Sequence, residues 1–148
     1  MIGINVKIDG QDKILRRIDA ISALPKNLIP LYKRWVPAIR KEWENNFANQ
    51  EAEGRAWAAL KYKKPKEFEG NPIGINTGEM KNAVSGIGKG AVTIMDKKSL
   101  EIGVQMNKAE WFHKGTRKQT TRPLISLDNP TKNKLMQILR LWIKEAVK

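Results

Sequence analysis

Leu31-Tyr32-Lys33-Arg34-Trp35-Val36-Pro37-Ala38-Ile39-Arg40-Lys41-Glu42-Trp43-Glu44-Asn45-Asn46-Phe47 is the stretch that decides the fold. Tyr32, Trp35, Val36, Ile39, Trp43 and Phe47 form an apolar stripe at three- and four-residue steps, which predicts a helix from about Leu28 to Asn49. Asn27 is a capping residue in front of it, and Pro30 is tolerated in a first turn. Pro37 is interior, so it removes a backbone hydrogen bond and predicts a kink. A stripe this rich in tryptophan reads as core rather than as a ligand box.

Upstream, Ile14, Leu15, Ile18 and Ile21 lie opposite Lys13, Arg16 and Arg17, a short amphipathic helix over Gln11 to Leu24 that Pro25 ends. Ile2, Ile4, Val6 and Ile8 alternate as a half-buried strand does, and Gly10 breaks the pattern. This start has neither the basic residues nor the apolar block of a signal peptide.

Downstream, residues 50–76 read as a long connection. A structureless loop of that length is unusual within a domain, which marks it as the segment expected to order only on a partner. After Thr77-Gly78 the character turns to β. Ala83 to Ile87, Ala91 to Met95 and Leu100 to Gln105 predict an antiparallel meander turned at Gly88-Lys89-Gly90 and at Asp96 to Ser99. A polar link follows from Asn107 to Arg122, then a short apolar run at Leu124 to Leu127.

Asp128-Asn129-Pro130 is a helix start, a cap residue before a first-turn proline. The last helix, about Thr131 to Val147, directs Leu135, Ile138, Leu139, Trp142, Ile143 and Ala146 inward. Lys144 and Lys148 lie where cations suit the helix dipole. Together these elements predict one α+β domain over residues 1–148. A small antiparallel β-sheet packs against a long kinked helix and a C-terminal helix, with a long loop between them.

Composition narrows the function. The 148 residues are 41% hydrophobic and 29% charged, a globular balance. No apolar run approaches the roughly 20 residues of a membrane span. The absence of cysteine excludes disulfides, zinc-thiolate sites and a cysteine nucleophile. Lys and Arg total 28 against 15 acidic residues, a net charge of +13 that draws polyanions or acidic protein surfaces.

The residues do not spell out catalysis. His113 is the single histidine, and pairing it with Glu110 or Asp128 supplies too few metal ligands. Asp96, Glu101 and Glu110 follow no spacing used to hold magnesium. Gly86-Ile87-Gly88-Lys89-Gly90 lacks the GxxxxGK[ST] pattern of a phosphate loop and reads as a hairpin turn. The chain is therefore expected not to be an enzyme and to need no cofactor. Lys114, Arg117, Lys118 and Arg122 beside Trp111 and Phe112 could hold a nucleic-acid strand by charge and stacking. No helix-turn-helix, zinc-finger or RNA-recognition signature accompanies them.

Several fragments gain weight from their order: Phe47 to Gln50; Gly54, Trp57 and Leu60; Asn76 to Met80; Leu100 to Val104; Ala109 to Thr116; and Arg122 to Leu124. In that sequence they resemble the virion morphogenesis family, the tail completion proteins of tailed phages and Mu-like prophages. The resemblance covers about residues 40–148. It departs from the family pattern at Met80, where leucine is usual, at Trp111-Phe112 in place of Tyr-Ala, and in the single residue between His113 and Gly115.

The resemblance implies a structural protein that completes the tail and helps join it to the head. It implies a ring of copies, contacts with tail-tube, terminator or head-connector proteins, and no membrane partner. The host bacterial cytoplasm during assembly, and then the virion neck or tail end, are its expected places. His113, Lys114, Arg117, Lys118, Arg122, Lys63 and Lys64 are the expected partner contacts, with a transient, sequence-independent DNA contact left open. The rival reading is a small basic nucleic-acid-binding accessory protein.

Overall fold

The structure is a computed structural model and describes residues 27–61 and 63–146 together with Arg16, Asp19 and Ser22. Arg16, Asp19 and Ser22 are helical and exposed. The remainder of the expected 11–24 helix, and the expected strand at residues 2–8, lie outside the described residues.

Helix α1, Ile29–Asn49, forms as its stripe predicts. The Asn27 side-chain oxygen accepts from the Ile29 N–H at 3.2 Å, and Pro30 sits in the first turn. Tyr32, Ile39, Trp43 and Phe47 are buried. Pro37 lies on the solvent side, where water can take up the carbonyl its missing N–H frees. Helix α4, Asn129–Ala146, packs along α1. Asp128 caps it, its carboxylate accepting from the Thr131 N–H at 2.7 Å. Thr131, Leu135 and Trp142 are buried, whereas Ala146 is exposed and corrects the inward expectation there.

The β-region is smaller than the sequence predicts. Strands β1 (Glu51–Ala52) and β2 (Arg55–Ala56) form one tight hairpin. Strands β3 (Ala91–Met95) and β4 (Leu100–Val104) form the other, antiparallel in unbroken register from Ala91 opposite Val104 to Met95 opposite Leu100. A glycine inside a strand often marks a bulge or a close backbone approach, as Gly103 in β4 would. Instead it sits in regular register opposite Val92, and a side chain there would meet open space.

The run Ala83–Ile87 is not a strand. Helix α2 spans Glu79–Val84, started by Gly78 at φ +82°, and buries Ala83 and Val84 completely. The glycines at 86–90 therefore turn a helix into β3 rather than joining two strands. The link Asn107–Arg122 likewise contains helix α3, Asn107–Lys114. Nor is 50–76 a structureless loop. It holds the β1–β2 hairpin, a 3-10 turn at Lys66–Phe68 and the buried Trp57. Gln50 anchors it further, accepting from the Ile73 N–H at 2.6 Å and donating to the Ile73 carbonyl at 3.2 Å.

One buried residue ties these layers together. Arg40 on α1 donates through Nη1 to the carbonyls of Ala83 and Val84, at 3.2 and 2.7 Å. Through Nη2 it donates to the Val92 carbonyl at 2.6 Å and to Thr93 Oγ1 at 3.0 Å. It thus satisfies the last carbonyls of α2 and fixes the hairpin on α1. Burial pushes its pKa down from the ordinary arginine value.

Trp142, at the α1–α4 contact, tests the packing. Trp142→Ala should destabilise by about 3–5 kcal/mol in denaturant unfolding. A nearly neutral effect would mark an exposed face instead.

Candidate interaction site

Helix α3 sorts its residues by helical spacing. Ala109 and Phe112, three apart, face the core; Trp111 between them is 54% exposed. The Phe112 ring meets Trp57 edge-on at 5.2 Å, and Trp57 meets Phe47 in the same manner at 5.3 Å. Three motifs from distant parts of the chain therefore meet in one aromatic stack.

Two residues expected to touch a partner face this interior. His113 accepts at Nδ1 from the Leu124 N–H at 3.0 Å and more distantly from Ile125 at 3.5 Å. Accepting there requires the neutral ring, with its proton on Nε2. Burial, then the neighbouring Lys114 cation, push its pKa below the ordinary histidine value, against a raising influence from Glu53.

Arg122 is 2% exposed, which corrects its assignment as a contact residue. Its Nε donates to the Ala58 carbonyl at 2.8 Å, Nη2 to Ala59 at 2.8 Å and Nη1 to Thr120 at 3.1 Å. The guanidinium also lies 5.4 Å from the Phe112 ring centre. One planar fork thereby closes the loop after Trp57 onto the chain entering the last segment.

The other expected contacts stay nearer the surface. Lys64 clasps its own loop, donating to the Asn71 and Pro72 carbonyls at 2.9 Å each, and burial lowers its pKa. Lys114 pairs with Glu110 at 2.8 Å across one helical turn, so Glu110 serves this lysine rather than His113. Lys63, Arg117 and Lys118 are exposed.

Arg117 and Lys118 stand on a tight loop that Gly115 makes possible. Its φ is +75°, and a Cβ there would sit 2.9 Å from the Thr121 backbone nitrogen and 3.0 Å from the Gln119 carbonyl. Thr116 completes the loop, its hydroxyl accepting from the Lys118 and Gln119 N–H groups at 3.2 and 3.0 Å.

Trp111 opens onto a cleft of about 430 Å³, whose walls include Lys64, Phe68, Met80, Lys108 and Gln119. A second cleft of about 580 Å³ adjoins it, sharing Glu79, Met106 and Lys108 and carrying Ile87, 66% exposed. An exposed indole and an exposed isoleucine at adjoining clefts suit a protein surface more than a small reacting molecule. The sequence reading treated Trp111 and Phe112 alike. Helical spacing through Ala109 and Phe112 is the signal that separates them.

Among the described residues, no group of three or more His, Asp and Glu could hold a metal ion. Asp96 is occupied in its turn, accepting from the Ser99 hydroxyl and from the Lys98 and Ser99 N–H groups, which lower its pKa in that order of origin: the Ser99 hydroxyl first, then Lys98, then the Ser99 backbone.

The His113 contact predicts a pH dependence. Because its folded pKa is depressed, the unfolded chain takes up the proton first as pH falls. Its stabilisation is complete above the ordinary histidine pKa of about 6.5 and declines as pH drops toward the folded value. His113→Asn, whose amide oxygen can accept in place of Nδ1, should flatten the fall in thermal stability between about pH 7.5 and 5.5. Identical profiles for variant and wild type would contradict this role.

No family model, curated protein or solved structure matches the chain.

Proposed function

We propose that this protein is a structural component of tailed-phage assembly, completing the tail and joining it to the head through protein–protein contacts among a ring of copies. The carrying observation is convergence. Phe47, Trp57, Phe112, His113, Arg122 and Leu124 come from four fragments of the ordered motif series. They meet in one network of ring contacts and hydrogen bonds. Motifs that define a family by order and spacing are expected where the fold depends on them.

The surface beside that network supports docking. Trp111 and Ile87 offer apolar anchors at adjoining clefts, and the expected contacts Lys63, Arg117 and Lys118 are exposed to solvent. On this reading the partners are further copies of the chain and tail-tube, terminator or head-connector proteins. The work is done in the host bacterial cytoplasm and ends at the virion neck or tail end.

Light scattering of the purified chain, alone and mixed with the products of adjacent genes, tests the proposal. The expected result is an oligomer or mixed complex that Trp111→Ala weakens by tenfold or more while thermal stability changes little, since hot-spot truncation costs about 2 kcal/mol or more. A chain that stays monomeric and forms no such complex would overturn it.

A further inference from the structure

Helix α4 turns its core side to α1 and leaves the opposite side to solvent. Asn133, Gln137, Arg140 and Lys144 are exposed along its centre, with Lys134 and Lys132 exposed on opposite edges. None of the four cations has a carboxylate within 4.0 Å among the described residues, and the helix's one acid, Glu145, is held by Arg34 at 2.7 Å. Lys132 lines a shallow cleft with Glu53 and Asp128, which offset part of its charge, so Lys134, Arg140 and Lys144 are the principal cations.

The helix dipole accounts for only part of this pattern. Lys144 suits the negative C-terminal end, whereas Lys132 lies near the N-terminus, where the Asp128 cap offsets it, and Lys134 lies beyond the turn over which the dipole acts.

Composition also separates this face from the Trp111 surface. Protein interfaces favour aromatic anchors and are depleted in lysine. The α4 face has lysine, arginine and two amides along its centre, and its exposed apolar residues, Met136 and Leu141, stand at its flanks. From Lys134 to Lys144 the rise is about 15 Å, the length over which one strand of a duplex presents roughly four phosphates.

We propose that the exposed face of α4 docks double-stranded nucleic acid through its phosphate backbone, without reading sequence. Charge complementarity carries the assignment. It does not require the assembly role, because it rests on the helix's own residues.

The test is fluorescence anisotropy of a labelled 30-base-pair duplex of arbitrary sequence titrated with the full chain at several salt concentrations. Wild type should bind at low salt and weaken steeply as salt rises. The triple variant Lys134→Glu, Arg140→Glu, Lys144→Glu should lose at least tenfold in affinity, and its log–log salt slope should be shallower by about 2.7, at about 0.9 per lost phosphate contact. Unchanged circular dichroism and melting temperature would confirm that the surface alone was altered. The triple variant Lys61→Glu, Lys66→Glu, Lys81→Glu, at exposed positions away from α4 in the chain, should bind the duplex within about threefold of wild type, because phosphate contacts are local.

Three results would overturn the proposal: no salt-dependent binding by wild type, equal binding by the α4 variant, or tighter binding to poly-L-glutamate than to duplex at equal charge. The last would assign the face to an acidic protein. Light scattering on the same samples separates this from the assembly reading. An α4 variant that loses DNA but keeps its oligomeric state supports the inference, whereas one that loses the oligomer first makes the face a contact between copies and refutes it.

Discussion

The fold depends on satisfying a buried stretch of chain that has no secondary structure of its own. Residues 122–128 link α3 to α4 with Leu124 fully buried, yet among the described residues no strand pairs with them. Buried backbone groups must find partners, and here side chains supply what a sheet ladder would. The Trp57 indole donates to the Pro123 carbonyl at 3.2 Å, Asn46 to Leu124 at 3.2 Å and Trp43 to Ser126 at 3.0 Å. His113 accepts the Leu124 N–H, and the Phe112 carbonyl accepts the Arg122 N–H at 3.0 Å. Trp35 continues the series on α4 itself, donating to Leu135 at 3.1 Å. Three tryptophans are thus fixed at their polar ends as well as by their area, which sets the α1–α4 packing to one register.

That arrangement explains what was legible in the sequence. Helices α1 and α4 carry long stripes and strong start signals, so periodicity alone finds them. The two short helices are different. The six residues of α2 are too few to show a helical period against the β-branched Val84 and Ile87, and only the left-handed Gly78 ahead of it and the full burial of Ala83 and Val84 settle the matter. Helix α3 looks polar because only Ala109 and Phe112 face inward, so composition hides a pattern that spacing contains. The 50–76 segment reads as unstructured for a related reason. Its order comes from contacts distant in sequence, above all Arg122 and Gln50, which no local window can see.

The same distinction governs the charges. Sequence composition counts Arg40 and Arg122 among surface cations, the usual place for arginine. Both are buried, and both hold carbonyl oxygens at several points of the chain. Lysine could not substitute for them, since a single ammonium cannot reach divergent acceptors in the fixed fork that a guanidinium offers. The net charge is therefore not one property with one explanation. Part of it is internal bracing and part is paired locally, as Lys114 is with Glu110. The remainder is exposed to solvent on α4, around the Gly115 loop and at scattered lysines such as Lys33, Lys61, Lys81 and Lys97.

Bracing and docking meet at α3, where neighbouring residues have opposite duties. Phe112 and His113 lock the 122–128 segment, while Trp111, on the same rigid turn, projects into the cleft. The indole is held in place by contacts it does not itself make. A change that loosens the His113–Leu124 bond would therefore shift the Trp111 surface without touching it. Conversely, a partner pressing on Trp111 would load the aromatic stack that runs through Phe112 and Trp57 to α1. The Trp111 surface is the reverse side of the core's own fastening, and if it docks a partner as proposed, such preorganisation reduces the ordering cost of binding.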